Sequence, residues 1–230
     1  MKLALALLLA AAPMGVAHAQ NETPAEVARN DKLMQAIRQI QGGAPQKALE
    51  VVTPLLAEYE STYPGDPRKM LCRVEEYETA AYPSLPGGKD AKLVDGGWCI
   101  ALWAKGFALI DLQQLDAALP FLERSVAMAP LHPHYLSELG YAYQAQKQWQ
   151  RSYELYARAA EAAKRESGDR QKKSLRRAWF GMAYGAIEMG RLDEAETLLR
   201  KCQALVPDDK AVKDELNYVI EQKAKTKKTS

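Results

Sequence analysis

Apolar residues recur along most of this chain at intervals of three and four. Leu33, Ala36, Ile37 and Ile40 form one such stripe, and Val212, Leu216 and Val219 form another. That spacing puts one apolar face on an α-helix. Glycine and proline gather between the periodic segments. Pro54 and Pro120 are exceptions: they fall inside presumed helices and predict local kinks.

One pattern is written twice. "LDAALPFLERSVAMAP" (residues 115–130) and "LDEAETLLRKCQALVP" (residues 192–207) share a Leu-Asp start, an Ala, a Leu and a closing Pro, 77 residues apart. Gly106 and Gly140 lie 34 residues apart in similar surroundings. Ser152 and Tyr156 then repeat the places of Ala118 and Leu122.

These residues resemble the tetratricopeptide repeat, a helix–turn–helix unit of about 34 residues. Leu102, Gly106, Ala118, Leu122 and Pro130 occupy the fourth, eighth, twentieth, twenty-fourth and thirty-second places of one copy. Trp179, Ala183, Ala195, Leu199 and Pro207 occupy them in another. Small residues at places eight and twenty let the two helices approach. Large ones at four and twenty-four reach the neighbouring unit, and proline stops the second helix. The spacing of 77 exceeds two units by nine residues, assigned to "KRESGDRQK" (164–172), where a lengthened second helix is expected before Gly168 breaks it.

The resemblance implies an all-α, right-handed solenoid of about eleven helices. Its expected units are residues 31–64, a degenerate unit 65–98, 99–132, 133–175 and 176–208. A capping helix over 209–225 and a frayed tail over 226–230 complete it. In the degenerate unit "DPRKMLCRVEEYETAA" (66–81) reads as a helix opened by Asp and Pro, and residues 82–97 as irregular. Residues 20–30 read as a flexible leader.

Ahead of the leader, residues 1–19 have the form of a secretory signal: Lys2, the apolar run "LALALLLAAA" and the small-x-small "AHA". The run is too short to span a membrane. The expectation is a soluble bacterial protein, periplasmic or extracellular after cleavage near Ala19. A net charge of +2 creates no field demanding nucleic acid or membrane. Cys72, Cys99 and Cys202 are the only cysteines. With Cys72 at place eight and Cys99 at place one of parallel helices, the offset is about 10 Å. That exceeds disulfide reach, so free buried thiols are expected.

Catalytic signals are absent. There is no phosphate loop, nucleophile elbow or H-E-x-x-H, and the expectation is a non-catalytic protein without cofactor or metal. His132 and His134 flank Pro133 and read as a turn residue and a first-helix residue.

The resemblance also implies a binding face. First helices line the concave side, and places two, five, nine and twelve point into it. These places hold Trp103, Phe107 and Ile110 in one unit, Tyr141 in the next, and Arg177, Phe180 and Tyr184 in a third. Aromatics concentrate at binding hot spots. Trp103 and Phe107 stand where the family's carboxylate clamp needs Lys and Asn, so a hydrophobic or amphipathic protein segment is the expected guest. The alternative is an electrostatic adaptor using Lys164, Arg165, Arg170, Lys172, Lys173 and Arg176 to dock on an anionic envelope polymer or an acidic partner.

Overall fold

A computed structural model describes residues 23–229. The expected signal segment lies outside them. Helix α1 (Pro24–Gln41) starts on a capping box, with Thr23 accepting from the Glu26 amide and Glu26 bonding back to the Thr23 amide. Most of the expected flexible leader is therefore helix: Pro24 at the first turn and the Thr-x-x-Glu box nucleate it.

Helix α2 (Pro45–Thr62) completes the first pair. After the irregular segment come α4 (Gly96–Asp111) with α5 (Leu115–Met128), α6 (Pro133–Ala145) with α7 (Trp149–Ala163), and α8 (Gly168–Glu188) with α9 (Leu192–Leu205). Helix α10 (Lys210–Thr229) caps the stack through Val212, Leu216 and Val219, all buried. It continues through most of the expected frayed tail. Helices α2 and α5 run through Pro54 and Pro120 without interruption. The architecture is an α-solenoid with ten α-helices among the described residues.

Each pair turns at one left-handed residue: Gly43, Gln113, Lys147 and Gly190, with φ of 69°, 61°, 59° and 74°. The small places work by contact. A Cβ on Gly106 would stand 2.6 Å from Leu122 Cγ. Ala118, Leu122, Ala183, Ala195 and Leu199 are completely buried.

The degenerate unit is not a helix pair. Residues 70–73 form strand β1 (Met70–Arg73), followed by the short helix α3 (Glu76–Ala81), a 3-10 turn at Tyr82–Ser84, and strand β2 (Lys92–Asp95). The strands pair in parallel, with Cys72 opposite Val94. Strand β2 runs straight into α4, whose first turn is capped by Asp95 Oδ1 at 2.8 Å from the Gly97 amide. Gly96 permits this junction, since a Cβ there would lie 2.2 Å from the Arg73 carbonyl oxygen.

That geometry overturns the expectation of three free thiols. Cys72 and Cys99 form a disulfide with Cα atoms 6.2 Å apart. The 10 Å offset assumed two parallel helices. Cys72 instead lies on a strand beside β2, one turn from Cys99 on α4. Cys202 alone is free and buried, as its packing place implies.

The nine extra residues also fall differently. Helix α7 ends at Ala163, close to the repeat's normal length, and the extra residues extend α8 at its N-terminus. Helix α8 has 21 residues against 13 in α6, an overhang of about 12 Å. Gly168, at φ 60°, opens this overhang.

Candidate functional site

Helices α4, α6 and α8 carry the residues expected to line the concave face: Trp103, Phe107 and Ile110 on α4, Tyr141 on α6, and Arg177, Phe180 and Tyr184 on α8. Trp103 is the pivot. Its ring is 5.7 Å from Phe107 and 5.0 Å from His134 of the next unit. Trp103 and Ile110 pack on the main core, and Phe180 on the C-terminal core. Phe107 and Tyr184 are half-buried, and Tyr141 is the most open at 43% exposure. Tyr184 leans on Trp149 at 6.1 Å, and the Arg176 guanidinium covers Phe180 at 4.5 Å.

Sequence reasoning passed over the polar anchor on this face. Glu138, only 2% exposed, accepts from Arg177 Nη1 at 2.9 Å and lies 3.6 Å from His134 Nε2. Arg177 is thereby held by the protein's own carboxylate. Burial lowers the His134 pKa, partly offset by Glu138. A cleft of about 170 Å³ opens above this group, edged by Lys173, Ser137 and Ser174. Glu138 lies one helical turn beyond His134, but nothing in its sequence context distinguishes it from a solvated glutamate.

A second buried polar group lies where the irregular segment meets α6. Glu78 is fully buried, with Oε1 3.5 Å from His132 Nδ1 and 3.4 Å from the Tyr77 hydroxyl. Loss of solvation pushes its carboxyl up to about 8 and the His132 imidazole down to about 3. Among the described residues no group of three or more His, Cys, Asp or Glu is placed to hold a metal ion.

The basic stretch does not form one surface. Arg170 turns to Glu75 at 2.6 Å and Glu166 at 2.9 Å. Arg176 pairs with Asp209 at 2.8 Å, at the start of α10. Lys164 pairs with Glu161, and Lys172 lies 3.9 Å from Asp169. Lys173 edges the concave cleft, Lys172 faces a different one, and Arg165 is exposed. Lys164 and Arg165 precede α8, and helical periodicity fans Arg170, Lys172, Lys173 and Arg176 around it.

Residues 177–209 match the tetratricopeptide repeat family model. Among curated proteins none matches the chain in sequence. Solved structures share the fold at low identity. PilF of Pseudomonas aeruginosa is 12% identical with a TM-score of 0.62, over 88% of this chain and 72% of that one. MamA of Desulfovibrio magneticus RS-1 is 16% identical with a TM-score of 0.56, over 87% and 88%. The first such domain of Spaghetti (RPAP3), bound to the HSP90 peptide SRMEEVD, is 18% identical with a TM-score of 0.51, over 57% and 97%. No described helix is long and apolar enough to cross a membrane.

Proposed function

We propose that the chain, whose residues 177–209 match the tetratricopeptide repeat family, holds a segment of an envelope protein on its concave face and serves as a non-catalytic scaffold outside the cytoplasm. One observation carries this reading. Trp103 and Phe107 on one first helix, Tyr141 on the next and Phe180 and Tyr184 on the third stand at the places that would face the concave side, and Tyr141 is 43% exposed. An open aromatic row on a rigid frame is the arrangement that buries large area at low entropic cost.

Trp103 and Phe180 are partly committed to the core and would form the walls. Phe107, Tyr141 and Tyr184 would be the contacts. Arg177 is paired with Glu138, so a free carboxylate has to compete with an internal one. An apolar or amphipathic guest therefore fits better than an acidic terminus. A relative in fold, the Spaghetti domain, is bound to a peptide, which supports the general mode without transferring its ligand.

The extracytoplasmic assignment draws on the apolar leader sequence and on the Cys72–Cys99 disulfide, since disulfides persist in oxidising compartments. The adaptor alternative loses support because Lys164, Arg170 and Arg176, three of its six cations, are paired within the chain. Replacement of Tyr141 by Ala tests the groove reading. Affinity for a partner captured on this face should fall about 30-fold, or about 2 kcal/mol, with the melting temperature unchanged. Unchanged affinity would remove Tyr141 from the site.

A further inference from the structure

Helix α8 has a second functional stripe. Gln171, Lys172, Leu175 and Trp179 lie on one side of the helix, spaced by three and four residues. Arg177 is about 200° around the axis from Leu175 and faces the concave groove. Against that second stripe stands the end of α9, with Lys201 and Leu205. Between them is a cleft of about 530 Å³.

The repeat shows why this corner is open. Leu102 and Leu136, at the place of Trp179 in the two earlier units, are fully buried. Between the second and third units the α8 overhang is held to the connection before it, where Gln171 Nε2 donates to the Glu166 carbonyl at 2.7 Å. No such overhang follows the third unit. Helix α10 begins only at Lys210, tied to Arg176 through Asp209. Trp179 and Leu205 are consequently left half-buried.

The rim of the cleft has one sign. The Lys201 ammonium lies 5.9 Å from the Trp179 ring centre and contacts no described carboxylate. Lys172 has only Asp169, at 3.9 Å, and that carboxylate is 90% exposed. Two solvated lysines over an apolar floor complement an apolar side chain flanked by carboxylates. The volume suits one or two large side chains.

We propose that the cleft between α8 and α9 is a second docking site, which takes an acidic segment of a partner protein and buries a large apolar side chain against Trp179. The site is independent of the concave face. A partner long enough to engage both would gain by effective concentration.

Calorimetric titration of the full chain tests this with a short synthetic peptide, Leu-Phe flanked by glutamates. A control peptide carries lysines in place of the glutamates. The acidic peptide should bind saturably and the lysine peptide far more weakly. The double reversal Lys172→Glu, Lys201→Glu should weaken the acidic peptide about tenfold or more, and Tyr141→Ala should leave it unchanged. Both lysines are exposed, so these variants keep the fold. Equal affinity for the two peptides, or indifference to the double reversal, would overturn the proposal. So would a dimer of the chain that the double reversal dissolves, because the occupant would then be a second copy.

Discussion

Arg170 Nη2 lies 2.6 Å from Glu75 Oε1, and the same guanidinium reaches the Tyr77 hydroxyl at 3.3 Å and Glu166 at 2.9 Å. This contact joins the two irregular features of the solenoid, the α3 segment and the α8 overhang. It bridges units that a regular array would keep apart, and it sets the segment against the first turns of α6 and α8. Replacing Arg170 by Ala leaves Glu166, whose side chain is 3% exposed, without its cation. We expect a loss of about 2 kcal/mol in urea unfolding, with Arg165→Ala as a near-neutral control. Equal effects would mean the clasp contributes nothing.

The pair turns give a stabilising prediction. Gln113 and Lys147 adopt left-handed φ values where two sister turns use glycine. A side chain there costs about 1 kcal/mol, offset in part by the greater freedom of glycine in the unfolded chain. Gln113→Gly and Lys147→Gly should each raise stability by about 0.5 kcal/mol, read as a higher urea midpoint at constant slope.

Glu78 and His132 set a pH window. Glu78 is faced by Glu75, Tyr77, Tyr82, His132, Tyr135, Glu166 and Arg170. Its pKa rises from 4.5 to about 8, so the folded state holds a proton that the unfolded chain releases. That of His132 falls from 6.5 to about 3, so the unfolded chain holds a proton that the folded state lacks. Between 4.5 and 6.5 the two differences cancel. Above 6.5 this pair lowers stability with rising pH, by up to about 1.4 kcal/mol per unit, until Glu78 ionises. Below 4.5 it lowers stability with falling pH. Glu78→Gln should flatten the slope between 6.5 and 8 in denaturation curves, and an unaltered slope would exclude Glu78 as its source.

Reduction should act on one bond. The Cys72–Cys99 link closes a loop spanning 27 residues, for which the chain-entropy model gives about 3.5 kcal/mol. A reductant should lower the unfolding free energy by about that amount. Burial pushes the Cys202 thiol up to about 12, so an alkylating agent should label it only after unfolding.

The regular units were legible because small and large residues at fixed places report helix contact directly. Gly106, Ala118 and Leu122 were enough to place α4 against α5. The segment around Cys72 was not legible by the same logic. "DPRKMLCRVEEYETAA" has an apparent helix start, but β1 draws its stability from β2, twenty-two residues later, and no local period encodes that pairing. Tertiary pairing overrode local propensity, and the thiol expectation failed with it. The proposed aromatic row rests on repeat places alone. Glu138 was not legible, because burial of a glutamate depends on Arg177, a full unit away. Arg170 read as part of a cationic surface for the converse reason: its partner Glu75 lies in the segment that sequence could not fold.

The concave face is tested most directly by a photo-reactive amino acid at Tyr141, compared with one at Ala127 on α5, in cells expressing the full chain. The groove reading predicts a discrete crosslinked protein from position 141, absent from 127 and diminished by Phe107→Ala in the same chain. Identical products from both positions, or none from 141 in a protein with an unchanged melting curve, would contradict it and leave the aromatic row as core.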